Sequence, residues 1–204
     1  FKVAYMLADG ATLLVPGVFG MLLLPMMAKA LSQSAQVAAR RFVGATTYLA
    51  LLAMPLLAFG GLFAEPIMAV LYGSAYLASG PAFALILLAK SFAVISQGGS
   101  SLLMSADRQH TVLAIVVVCG ILKIVLDVVL IRQFGLHGAV IAYGVATMTT
   151  STAMIAFGLR VSGAQLPWSR LLRIVAAGLI AAVLALPLHW LGHPLATAAA
   201  GGIM

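Results

Sequence analysis

The stretch VLAIVVVCGILKIVLDVVLI, Val112 to Ile131, decides the fold class. As a helix rising about 1.5 Å per residue it measures about 30 Å, the thickness of a bilayer's hydrocarbon core. Lys123 and Asp127 sit inside it, one helical turn apart. An ionised pair at that depth is expensive, so its place is against a polar cavity or a neighbouring helix rather than lipid. That pattern points to a transport protein rather than an inert anchor.

Outward from this stretch the chain keeps the same character. It is 64% hydrophobic and 7% charged, with a mean hydropathy of +1.18. Phe42 to Ala64, Gln133 to Leu159 and Ile174 to Met204 carry no Asp, Glu, Lys or Arg. Each exceeds the roughly 18 apolar residues that mark a membrane span. A soluble domain of 204 residues needs a far richer charged surface than 11 basic and 4 acidic side chains supply. The formal charge of +7 is scattered at segment ends rather than gathered in a stripe, which argues against a nucleic-acid partner. Cys119, the only cysteine, excludes an intrachain disulfide and a cysteine metal cage, and reads as a small apolar helix residue. The chain opens at Phe1 without an initiator Met and stops at Met204 within an apolar run, the pattern expected of a piece of a longer protein.

Apolar length, breakers and charges predict six spans and part of a seventh. They are Val3 to Leu31, Thr46 to Phe63, Ala82 to Met104, Thr111 to Ile131, Gly138 to Leu159, Leu171 to Trp190, and Leu195 onward. Pro16 and Pro25 predict a kink in the first, because proline lacks a backbone donor. Gln33 to Gly44 reads as a short amphipathic loop. One side of the membrane collects Lys29, Arg40, Arg41, Arg108, Arg160, Arg170 and Arg173, and the other holds Arg132 and Lys2. The richer side is expected in the cytoplasm. Trp168 and Trp190 bracket the sixth span at a distance that suits the two interfaces of a bilayer.

Helical spacing separates polar from bare spans. Lys90, Gln97, Ser101 and Ser105 fall on one face of the third. The first carries Tyr5, Asp9 and Thr12, the fourth Lys123 and Asp127, the fifth Tyr143, Thr147, Thr150 and Ser151. Spans one, three, four and five are therefore expected around something wet, with two and six toward lipid. Serine, threonine and glycines such as Gly98, Gly99 and Gly120 more often serve helix packing. The ionisable groups differ in scale, since Lys or Asp at a span centre costs roughly 2.5 to 3.5 kcal/mol. Lys123 and Asp127 can neutralise each other at i, i+4, whereas Lys90 has no acid at i±3 or i±4 and is expected to stand unpaired. Lys90, Gln97, Lys123, Asp127 and Thr147 are the candidate cavity residues, and Asp9 and Asp127 the candidate ion-coupling carboxylates. His189 and His193 make a weak metal signal without a third ligand. No metal, cofactor or catalytic motif is expected, so the chain reads as no enzyme.

Four segments carry a family resemblance: VAYMLADGATLLVPGVFGMLLLP at Val3 to Pro25, LYGSAY at Leu71 to Tyr76, SADRQH at Ser105 to His110, and LIRQFGLHGAVIA at Leu130 to Ala142. Together they resemble the polysaccharide-transport flippases, within the superfamily that also holds multidrug-extrusion antiporters. The resemblance implies an all-α membrane fold of two six-helix bundles around a central cavity. Residues 1–160 would be most of the second bundle, lacking its first helix, and residues 161–204 the start of an added helix pair. It implies export of a polyprenyl-pyrophosphate-linked oligosaccharide across a bacterial inner membrane. The partners implied are the bilayer, the glycan, the remaining half of the same chain, and a polysaccharide polymerase or glycosyltransferases. Basic cavity residues suit a pyrophosphate, and Lys90 and Lys123 are the candidates. The chain departs from the family in having Lys123 and Asp127 where two asparagines are usual, and Arg132 for a proline. A proton- or sodium-coupled multidrug antiporter is the alternative; a glycosyl- or acyltransferase membrane domain is a more distant one.

Overall fold

The computed structural model describes residues 2–181, 183 and 184, with the side chains of 11 and 13–21 excepted. Among these every regular element is helical: α1 (Lys2–Gln33), α2 (Ala35–Leu62), α3 (Ala64–Tyr72), a 3₁₀ turn (Ser74–Ser79), α4 (Gly80–Ser105) and α5 (Gln109–Ser162). A sixth helix, α6, covers 168–181. Three of the described helical stretches are long and apolar enough to cross a membrane: Ala35–Leu62, Ser74–Ser105 and Gln109–Ser162. Of the two prolines expected to kink α1, Pro16 lies among the undescribed side chains and Pro25 lies within a helix that runs from Lys2 to Gln33; Trp190, His189, His193 and the seventh span lie outside the described residues.

α1 and α2 form an antiparallel hairpin with only Ser34 between them. Ser34 is extended (φ −171°, ψ 157°) and its side chain accepts from the Val37 amide at 3.2 Å, capping α2. The stretch Gln33 to Gly44, expected as a loop, is therefore mostly the first turns of α2. Ala35, Ala38 and Ala39 favour helix. The segment also buries one face, since Ala38 and Phe42 pack with Leu23, Met27 and Ala30 of α1 while Arg40 and Arg41 remain exposed.

Phe63 ends α2 and α3 starts at the next residue. α3 has 9 residues, about 14 Å at helical rise and too short to span. It escaped the hydropathy reading by merging with the loop that follows. Ala64 and Met68 pack on Phe83, Ile86 and Leu87 of α4. Gly73, at φ 93°, stops α3 in a conformation that favours glycine, and Pro81 in the first turn opens α4.

α4 is the central helix, packed against α1, α2 and α5. Glycine makes its closest approach possible. A Cβ on Gly99 would stand 2.6 Å from the Met154 carbonyl oxygen, and one on Gly158 would stand 3.1 Å from the Phe42 ring and 3.2 Å from Gly99 Cα. Gly98 faces Thr46 and Phe42 in the same seam. Gly120 touches nothing that a Cβ would meet, so the packing role expected for Gly98 and Gly99 does not extend to it.

α5 has 54 residues, which unbroken would run about 81 Å, more than twice the hydrocarbon core. Gly135 breaks it with φ 56° and ψ −128°, a backbone region that is essentially glycine-only. The two limbs double back: Val140 packs with Phe83 near the start of α4, while Met154 packs with Leu103 near its end. Gly138 lies so close to the Leu130 carbonyl that no side chain would fit.

These reversals gather the ends of α1, α4 and the second limb of α5 with the starts of α2, the first limb and α6. Ser105 Oγ of α4 donates to the Leu24 carbonyl of α1 at 3.2 Å, fixing part of that end. Lys29, Arg40, Arg41, Arg108, Arg160 and Arg170 all belong to it, and we call it the basic end. α2 is two-faced rather than wholly lipid-facing: Phe42, Thr46, Leu49 and Ala53 are buried, and Tyr48, Leu51, Leu52 and Phe59 exposed. On α6, Leu172, Leu179 and Ile180 are exposed.

Candidate functional site

Three helices bring a polar cluster together inside the apolar body. Tyr5 and Asp9 are one turn apart on α1, Lys90 is on α4, and Tyr143 is on the second limb of α5. Lys90 lies ten residues past Gly80, about 15 Å along the helix and half the thickness of a hydrocarbon core. Its ammonium donates to Asp9 Oδ1 in a short ion pair and to Tyr5 Oη at 3.2 Å. It also stands 4.5 Å from the Tyr5 ring centroid, close enough for a cation–π contribution. Tyr143 meets Tyr5 edge to face, with centroids 5.6 Å apart at 81°, and walls the cluster on the third side.

This corrects the reading of Lys90 as an unpaired ammonium. The sequence shows acids only within reach along one helix, whereas the partner is 81 positions away on α1. The pair is asymmetric. The Lys90 side chain is 15% exposed and that of Asp9 is 42% exposed, so the cation is enclosed and the carboxylate faces open space. The pair is thus balanced inside the body, with the carboxylate the more open of its two members.

Lys123 and Asp127 form their own pair on the first limb of α5, Nζ to Oδ2 2.6 Å, with side chains 44% and 27% exposed. Among the described residues no hydrogen bond or ion pair joins it to the Lys90 cluster. The other faces of this limb are bare, with Val117, Ile121, Ile124 and Val128 exposed. Thr147 is half-buried one turn beyond Tyr143. Gln97 lies two turns from Lys90 toward the basic end, and its Oε1 is buried without a hydrogen-bond partner among the described residues. Thr46 Oγ1 is in the same condition, and no pattern singles it out beforehand because threonine at a span end is unremarkable.

The remaining hydroxyls turn back on their own helices. Thr12 donates to the Ala8 carbonyl and Thr150 to Ala146, each at 2.8 Å, the local bonding expected of Ser and Thr within a span. Among the described residues no three His, Cys, Asp or Glu side chains group as a metal site. No protein-family model matches the chain, and no curated protein matches its sequence.

Proposed function

We propose that this chain is a transporter segment that exports a polyprenyl-pyrophosphate-linked oligosaccharide by alternating access across a bacterial inner membrane. In this reading α1, α2, α4, the two limbs of α5 and α6 are six crossings. Residues 1–160 are most of one bundle of a two-bundle transporter, and the basic end lies in the cytoplasm. The observation that carries the proposal is Lys90: a cation ten residues into an apolar helix, enclosed by Tyr5 and Tyr143, and balanced by a carboxylate that is itself 42% exposed.

A diphosphate entering from the open side competes with Asp9 for the ammonium. The exchange pairs the ammonium with the diphosphate and releases the Asp9 carboxylate, which is 42% exposed toward the open side; an enclosed carboxylate left without its partner would be far more costly. Lys90→Ala should then abolish glycan export at normal membrane abundance. Lys90→Arg should retain part of it, because a guanidinium still pairs with phosphate oxygens. The test is complementation of a strain that depends on this protein, with abundance measured alongside. Full export by Lys90→Ala would refute the proposal.

A second reading, a proton- or sodium-coupled multidrug antiporter, is favoured by the exposure of Asp9. Protonation or sodium binding at that carboxylate would release Lys90 and couple an ion to helix movement. Asp9→Asn separates the two: export that no longer responds to the ion gradient supports the antiporter, and glycan export that persists supports the flippase.

A further inference from the structure

At the basic end, two arginines from separate elements line one groove of about 590 Å³. Arg40 projects from the second turn of α2 and Arg170 from the first turn of α6, with Gln165, Thr47 and Tyr48 completing the polar wall. None of the four acidic residues of the chain lines it. Among the described residues neither arginine has an ion-pair partner. Two guanidinium groups facing one cleft repel each other unless an anion sits between them, and each presents the planar fork of donors that suits phosphate oxygens.

A second furrow of about 360 Å³ lies beside the first, on the other side of the ridge formed by Arg40, Gly44 and Tyr48, and runs between α1 and α2. Arg40 and Arg41 stand at one end of it, and the rest of its wall is largely apolar, with Leu22, Leu23, Met26 and Leu49. Leu49 is nine residues beyond Arg40 on α2, about 13 Å nearer the centre of the span. Tyr48, which is exposed, lies on the ridge between the two. An anion-binding groove with an apolar furrow beside it, the two meeting across Gly44 where no side chain intervenes, suits the phosphate and one acyl chain of a phospholipid.

We propose that Arg40 and Arg170 bind the phosphate of an anionic membrane phospholipid, with an acyl chain lying in the α1–α2 furrow. The site is separate from the Lys90 cluster and does not depend on what the protein transports. The shared chemistry is a phosphoryl group, and the lipid is favoured over a free phosphate by the apolar furrow that adjoins the groove across Gly44.

The test is native mass spectrometry of the purified protein in mild detergent. Phosphatidylglycerol is titrated against phosphatidylcholine with identical chains, and inorganic phosphate serves as competitor. The expected result is phosphatidylglycerol binding at least tenfold tighter than phosphatidylcholine and unaffected by millimolar phosphate. Arg40→Gln and Arg170→Gln should each weaken phosphatidylglycerol by roughly tenfold, the worth of one charge-assisted contact. Arg160→Gln, at the same end but outside the groove, should change nothing. Arg40→Lys with Arg170→Lys should fall between, since charge remains and the fork is lost; these variants also carry the test if the glutamine forms do not fold.

Equal binding of the two lipids would overturn the proposal. An undiminished preference in the arginine variants, or the same loss in Arg160→Gln, would do so too. Displacement of phosphatidylglycerol by submillimolar inorganic phosphate would overturn the lipid assignment and identify a soluble phosphate site.

Discussion

Replacing Asp9 by Leu removes the carboxylate that balances Lys90 and leaves the ammonium, 15% exposed, with the Tyr5 hydroxyl at 3.2 Å and the Tyr5 ring. Removing one partner of a buried pair costs about 3 to 5 kcal/mol. The 42% exposure of Asp9 lowers that figure, because part of its interaction is screened by its surroundings. Tyr5 goes on accepting from the ammonium, so the expected loss for Asp9→Leu is about 2 kcal/mol. Lys90→Met should lose less, about 1 kcal/mol, since the orphaned carboxylate already faces open space. The double variant removes the pair whole and should lie within about 1 kcal/mol of the parent, a coupling of about 2 kcal/mol. Unfolding by titrated dodecyl sulfate in mild-detergent micelles, followed by loss of helical circular dichroism, measures all four proteins. If the double variant is destabilised by the sum of the singles, the two groups do not act as a pair and the neutralised-lysine account of the site fails.

Other perturbations test the scaffold. Gly99→Leu drives a side chain into the Met154 backbone and should destabilise by at least about 1 to 3 kcal/mol in the same titration, whereas Gly120→Ala should be neutral or stabilising by up to about 1 kcal/mol. Gly135→Ala forces a Cβ into φ 56°, ψ −128° and should cost about 1 to 3 kcal/mol; unchanged stability would mean that the hairpin does not hold that conformation. In a Cys119→Ala background, cysteine at position 41 should resist an impermeant thiol reagent in intact cells while cysteine at position 76 reacts. Labelling of position 41 from outside would reverse the proposed orientation.

Much of the architecture was legible in the sequence, because in a membrane protein apolar length and basic residues report position directly. The run from Val112 to Ile131 and the segment from Gly138 onward are the two limbs of α5, and Gly135 falls between them as the breaker pattern implies. The start of α2 was missed for a physical reason: polar residues at Gln36, Arg40 and Arg41 lower hydropathy without ending a helix, and Ser34 caps it eight residues earlier than the apolar signal begins. α3 was missed because nine residues leave no hydropathy peak of their own.

The polar residues were found, but their partners were not. Tyr5, Asp9, Lys90 and Tyr143 each stand out in an apolar span, and spacing assigns each to a face. Only Lys123 and Asp127, an i, i+4 pair, reveal their contact in one dimension. The pairing of Lys90 with Asp9 depends on the packing of α1 against α4, which no local spacing records. That distinction bears on mechanism. A pair within one helix moves with that helix and survives any rigid-body rearrangement, so Lys123 and Asp127 can stay neutralised throughout a transport cycle. A pair between helices exists only in conformations that keep α1 against α4. Separating those helices exposes a charge on each, and a ligand that neutralises either lowers the free energy of the separated state. In the proposed transporter, Lys90 and Asp9 therefore form the contact whose making and breaking can link occupancy of the cavity to movement of the bundle.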